Sequence, residues 1–118
     1  MKPEEHLPLA PRDLLILSVL AERPLHGYGI IKAVETRSRS GVLLDPANLY
    51  RVLRRMRKAG WIRDISCETP EEDAGDGGRR RKTHQITPDG QRTLEAELNR
   101  LERLLKQARP ALAEGERG

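Results

Sequence analysis

From Asp45 to Gly60 the chain carries a helix with both ends marked, and that helix limits what the rest can be. Asp45 can accept hydrogen bonds from the first unpaired amides of a helix, and Pro46 suits the first helical position, where no N–H is needed. Gly60 follows as a left-handed stop, so the spacing predicts a helix from Pro46 to Ala59. Leu49, Val52, Leu53 and Met56 recur at i, i+3, i+4 and i+7 and form its buried stripe. Ala47, Arg51, Arg54 and Lys58 lie opposite, with Asn48, Tyr50, Arg55 and Arg57 on the flanks. One side therefore needs cover from its own domain, while the other is basic and wet.

The remaining punctuation supplies that cover. Pro11-Arg12-Asp13 puts a proline and an acid into a first helical turn, ahead of Leu14, Leu15, Ile16, Leu17, Val19 and Leu20. These positions surround the helix, so cover is expected from the domain on one side and from a second chain on the other. Arg23-Pro24 ends it, and Leu25-His26-Gly27-Tyr28-Gly29 leads into a second helix, with Ile30, Ile31 and Val34 on one face, running to about Ser38. Gly41 to Leu44 is expected as a short extended link able to pair as a small strand. Trp61 to Ile65 and Thr83 to Ile86 predict a hairpin, its tip from Glu68 to Gly78 rich in acids, Gly and Pro, followed by Arg79-Arg80-Arg81-Lys82. Thr87-Pro88-Asp89 opens a last helix expected to reach about Ala108, with Pro110 as its stop. Along it Leu94, Leu98, Leu101, Leu105 and Ala108 make a heptad-like seam that Leu104 widens.

Composition narrows the function classes. With 118 residues, 34% charged and 36% hydrophobic, the chain holds one domain, and with 3% aromatics and no Phe its core must be built from Leu, Ile, Val and Ala. Such a core is small, and association between chains would help it. The longest apolar stretch, Leu14 to Ala21, is broken by Ser18 and falls short of the ~20 residues that span a bilayer, so no membrane partner is expected. Met1 to His6 has acids and a proline where a signal peptide needs apolar residues, and the single Cys67 cannot form an intramolecular disulfide; both fit a cytoplasmic location. A net charge of +4 and a pI near 9.6 favour a polyanionic partner, although a mildly basic surface also serves solubility. No metal or cofactor is expected, because His6, His26, His84 and Cys67 lack the short spacings of a zinc site. Gly27 and Gly29 do not begin a nucleotide loop, since the third glycine would fall at Lys32; a tight turn or close helix packing explains them better. No nucleophile, base and orienter can be assembled, so the chain is not expected to be an enzyme.

Three helices followed by a hairpin is the winged helix-turn-helix order, mainly α with a small β part (α+β), followed by a long C-terminal helix. The expected organisation is an N-terminal arm (1–10), a winged helix-turn-helix domain (11–87), a C-terminal dimerisation helix (88–109) and a flexible tail (110–118). In such a domain the second helix braces the third, whose exposed face enters a DNA major groove. Asn48 and Arg51, in the N-terminal half of the third helix, suit bidentate contact with adenine or guanine, whereas Arg54, Arg55, Arg57 and Lys58 suit phosphates. The same charges would also serve as the solvated face of an amphipathic helix.

Several blocks together resemble the PadR-type bacterial transcriptional regulators, over about Leu14 to Leu105. They are Leu14 to Glu35 with Pro24-Leu25-His26-Gly27-Tyr28-Gly29-Ile30, Asp45 to Leu53, Ala59-Gly60-Trp61-Ile62, and Arg79 to Lys82 with Ile86-Thr87-Pro88-Asp89-Gly90. The resemblance implies a homodimeric winged-helix repressor of double-stranded DNA, of the shorter branch whose single C-terminal helix dimerises. It also implies that Tyr28, Tyr50 and the third helix touch DNA, and that a cavity between protomers could receive a small apolar effector. Thr83 and His84 stand where many relatives carry aromatics, and Glu68, Glu71, Glu72, Asp73 and Asp76 would repel phosphate, so wing contact is expected at Arg79, Arg80 and Arg81. Dimer contacts are expected at Leu15, Ile16, Leu94, Leu98, Leu101 and Leu105. Tyr28 and Tyr50 are equally suited to burying their rings, and Trp61 to plugging the core. Two other readings stay open: a winged-helix protein-interaction module that does not bind DNA, and a non-specific architectural or RNA-binding protein.

Overall fold

The computed structural model describes residues 3–66 and 82–117. A 3-10 turn (Pro3–His6) precedes α1 (Pro11–Glu22), β1 (Leu25–His26), α2 (Gly27–Arg37), α3 (Pro46–Ala59), β2 (Ile62–Ser66), β3 (Lys82–Ile86) and α4 (Pro88–Arg117). This is the expected winged helix with a long terminal helix. Cys67, the acidic tip and Arg79 to Arg81 lie outside the described residues.

The ends of α3 are as its sequence implies. Asp45 Oδ1 accepts the Asn48 N–H at 2.9 Å, and Gly60 takes φ 84°. Leu49, Val52, Leu53 and Met56 are buried together with Ile30 and Val34 of α2, Trp61, Ile62 and Ile86. Ile16, Leu17, Val19 and Leu20 of α1 complete this core.

Its own chain encloses α1, with α2, β3 and α4 all packed against it. The second-chain contact expected at Ile16 and Leu94 is therefore corrected, while Leu14 and Leu15 keep part of their surface open. Ile16 is fully buried inside the protomer and Leu94 joins the same core, so neither belongs to a face between chains; Leu15 is half-buried against the core. The apolar residues surround α1 because three elements of one domain share it.

The sheet has the order β1-β3-β2, antiparallel throughout, with Leu25 opposite His84 and Ile62 opposite Ile86. Its third strand is thus Leu25–His26 and not Gly41 to Leu44. That link is a turn instead: Arg39 and Ser40 have φ of 52° and 63°, the Gly41 N–H donates to the Ser38 carbonyl at 2.9 Å, and the Val42 N–H donates to Ser38 Oγ at 3.0 Å. Leu44 then tucks into the core.

Thr87 joins three elements. Its Oγ1 accepts the Gly90 N–H at 3.0 Å as the cap of α4 and donates to the Gly60 carbonyl at 2.6 Å, while its N–H donates to the Trp61 carbonyl at 2.9 Å. From there α4 runs through Pro110 to Arg117, past the expected stop. Proline removes one helical bond, that to the Lys106 carbonyl, but Lys106 and Pro110 are both exposed and water can take the place of the missing donor. The N-terminal arm folds back on this helix: the Leu9 N–H donates to Glu97 Oε2 at 2.7 Å, and His6 meets the Trp61 ring edge-on at 5.2 Å.

Candidate nucleic-acid interface

The buried stripe of α3 sets what its other side presents. Ala47, Asn48, Tyr50, Arg51, Arg54, Arg55 and Lys58 are all exposed, and the helix contains no acid. Two of its five cations are already paired. Arg55 bonds the buried Asp13 of α1, and Arg57 reaches both carboxylate oxygens of Asp64 on β2 at 3.3 Å. Among the described residues Arg51, Arg54 and Lys58 have no carboxylate partner, so their charge is presented outward.

Asn48 is drawn back to the helix cap, its Nδ2 donating to Asp45 Oδ2 at 2.6 Å. Of the two residues expected to reach base edges, Arg51 is the one whose side chain is uncommitted.

Tyr28 and Tyr50 are each 63% exposed, so the burial reading of these rings does not hold. They flank a groove of about 490 Å3 between α2, α3 and β3, floored by Ile31, Leu49 and Leu53 and rimmed by Arg57 and Lys82. Tyr28 is held in place: it stacks on His26 at 6.5 Å with an 11° interplanar angle, and Lys32 Nζ lies 5.6 Å from its ring centre. His26 also caps α2, its Nδ1 accepting the Gly29 N–H at 3.1 Å. At Gly29 an added Cβ would sit 3.4 Å from Leu25 and 3.5 Å from the His26 ring, ordinary contact distances, so neither the turn nor close packing requires a glycine there.

Under the groove His84 is buried, with Nδ1 2.8 Å from Asp64 Oδ1. Burial pushes the Asp64 carboxyl up, but the His84 hydrogen bond and the Arg57 charge outweigh it and hold the group below its ordinary value. The Arg57-Asp64-His84 chain thus ties α3 to both wing strands. The three histidines have separate settings, at Trp61, at the α2 cap and on Asp64, and among the described residues no group of His, Cys, Asp and Glu could hold a metal ion. No helix among the described residues is long and apolar enough to cross a membrane.

The seam of α4 is shifted from its expected position. Leu94 is in the core, but Leu98, Leu104 and Leu105 are exposed, Leu101 is half-buried, and Leu112 continues the row at 72% exposure. Expecting a stop at Pro110 hid Leu112, although its spacing from Leu98, Leu101, Leu105 and Ala108 keeps the heptad. Sequence reasoning also missed the Asp13–Arg55 pair and the Glu97–Leu9 tie, which join residues 42 and 88 positions apart and leave no local signal.

Comparison with known proteins agrees with this geometry. The model of the transcriptional regulator PadR-like family matches residues 16–96. An uncharacterized 37.1 kDa protein in transposon TN4556 of Streptomyces fradiae is 36% identical over 92 residues, which are 78% of this chain and 23% of that protein. A PadR family transcription regulator from Clostridium difficile R20291 superposes with a TM-score of 0.63 at 28% identity, covering 83% of this chain and 97% of its own. A transcriptional regulator from Clostridium thermocellum gives 0.66 at 26% identity, with 80% and 84% covered. A PadR-like regulator from Bacillus cereus gives 0.68 at 20% identity, with 85% and 89% covered, a likeness of fold.

Proposed function

Because this chain belongs to the PadR-like family of transcriptional regulators, and so is a regulator and not an enzyme, we propose that it is a cytoplasmic, homodimeric, sequence-specific repressor that binds double-stranded DNA. The exposed side of α3, with no acid and with Arg51, Arg54 and Lys58 unpaired among the described residues, carries this reading. An α-helix fits the major groove, and cations on its outward side meet base edges and phosphates there. Arg51 reads a base, Tyr28 and Tyr50 lie against the backbone, and Arg79, Arg80 and Arg81 of the wing neutralise phosphates. The row from Leu98 to Leu112 pairs two copies, and a small apolar effector releases the DNA. The test is a gel shift on DNA from upstream of the protein's own gene with competitor DNA in excess. A retarded band that survives competition is expected; binding erased by any competitor equally sinks the claim of specificity, and no band at any salt concentration sinks DNA binding.

A further inference from the structure

Beside the outward face of α3 is a depression of about 280 Å3 where Arg12 of α1 meets Asn48, Arg51 and Arg55. We propose that this depression seats one backbone phosphate of the bound duplex, with Asp13 as the residue that positions it; the proposal rests on the DNA-binding reading above. The guanidinium groups of Arg12 and Arg55 converge there. Asp13 is the carboxylate that pairs with them, bonded to Arg12 Nε at 3.4 Å and to Arg55 Nη2, with its side chain only 8% exposed. Two positive charges against one negative leave a surplus of one, beside the base-reading Arg51. The other nearby acid, Asp45, is occupied by the α3 cap and the Asn48 amide.

The ligand class follows from charge and place. A guanidinium presents several N–H donors in a plane, so spending one on Asp13 leaves others for a tetrahedral oxyanion. A helix about 10–12 Å across fills a major groove of about 12 Å, so residues on its flank face the groove's lips, where the phosphates run. Arg12 comes from a different helix, α1, and lines the depression on the flank of α3. Asp13, lying beneath the surface, fixes the two guanidinium groups without placing its own charge against the phosphate.

Fluorescence anisotropy of a labelled random-sequence duplex, titrated over a series of KCl concentrations, tests this. Arg12→Ala should weaken binding about tenfold, the worth of one charge-assisted hydrogen bond, and lower the log–log salt slope by about 0.9 per protomer bound. Arg12→Lys, which keeps the cation, should restore the slope. Since one phosphate serves both residues, the double variant Arg12→Ala/Arg55→Ala should lose no more slope than either single variant. Additive slopes would mean separate phosphates and overturn the shared seat. Asp13→Asn makes the protein more positive, so a purely Coulombic role would tighten binding; the positioning role requires weaker binding with a smaller slope. If Asp13→Asn does not fold by circular dichroism, the variants of the half-buried Arg12 and the exposed Arg55 decide. Unchanged affinity and slope in Arg12→Ala, with a parent that binds, overturn the phosphate seat alone. A parent that binds no duplex overturns DNA binding and the seat with it.

Discussion

Gly90 shows how one residue can fix the relation between a wing and a long helix. A Cβ built there would lie 2.2 Å from the Trp61 carbonyl oxygen and 2.8 Å from Ile86 Cγ1. That carbonyl also accepts the Thr87 N–H, so it cannot move without breaking the start of α4. Gly90→Ala should therefore destabilise by about 2–3 kcal/mol despite alanine's better helix propensity, read as a lower urea midpoint at fixed protein concentration. An unchanged midpoint would mean that α4 can slide. On the outward side the decisive residue is Arg51, since Asn48 is committed to Asp45. Arg51→Ala should cost about 1–3 kcal/mol on the preferred site and relax one base position per half-site, while Lys58→Ala should weaken all sequences alike. Binding-site selection with both variants compares them; an unaltered sequence preference in Arg51→Ala would make Arg51 a phosphate contact.

At the scale of elements, the N-terminal arm depends on one buried carboxylate. Glu97 is 1% exposed and accepts from Leu9 N–H and from Arg100, whose Nη2 is 3.0 Å away. The Arg100 hydrogen bond lowers its pKa, burial opposes this, and the Leu9 amide adds to the lowering, leaving the group below its ordinary 4.5. A carboxyl whose folded pKa is depressed adds stability that is full above its unfolded value and is lost as pH falls through the folded one. Asp64 is shifted the same way from 3.8, so stability should fall as pH drops below about 4.5. Glu97→Gln should cost about 1–2 kcal/mol at neutral pH and flatten that acid limb, as thermal melts across pH would register; a limb as steep as the parent's would remove Glu97 from the account. This tie illustrates why parts of the fold were hidden from the sequence. Asp45-Pro46, Gly60 and Thr87-Pro88 mark α3 and α4 through chemistry within a few residues, and the stripe from Leu49 to Met56 says which side of α3 is free. A two-residue strand at Leu25–His26 has no periodicity to detect, and it exists only because β3 offers an edge. The groove under Tyr28 and Tyr50 and the pairing of Arg55 with Asp13 arise from packing between distant segments, which spacing along one helix cannot reveal.

The whole molecule is elongated, with extents of 64 × 33 × 22 Å and a radius of gyration of 17.3 Å, against the ~13–14 Å of a compact domain of this length. The excess comes from α4, whose 30 residues make a rod of about 45 Å, far longer than the core it starts from. Only its first turns have domain to lie on. Beyond Leu94 the apolar row continues through Leu98, Leu101, Leu105 and Leu112, and Leu105 and Leu112 are 53% and 72% exposed. A lone helix gains little from such a row in water, whereas a second copy related by a two-fold axis would cover it with the same row. Because these leucines lie outside the protomer's core, Leu98→Asp/Leu105→Asp should leave each protomer folded. Self-association should weaken by at least roughly a thousandfold, since each dimer loses four buried leucines. Sedimentation should then give a dimer for the parent and a monomer with native circular dichroism for the variant. DNA affinity should collapse as well, because two half-sites about one helical turn apart are held only by a coupled pair. A parent that sediments as a monomer at micromolar concentration, or a variant that remains dimeric, would remove α4 as the dimer element and leave its leucine row facing some other partner.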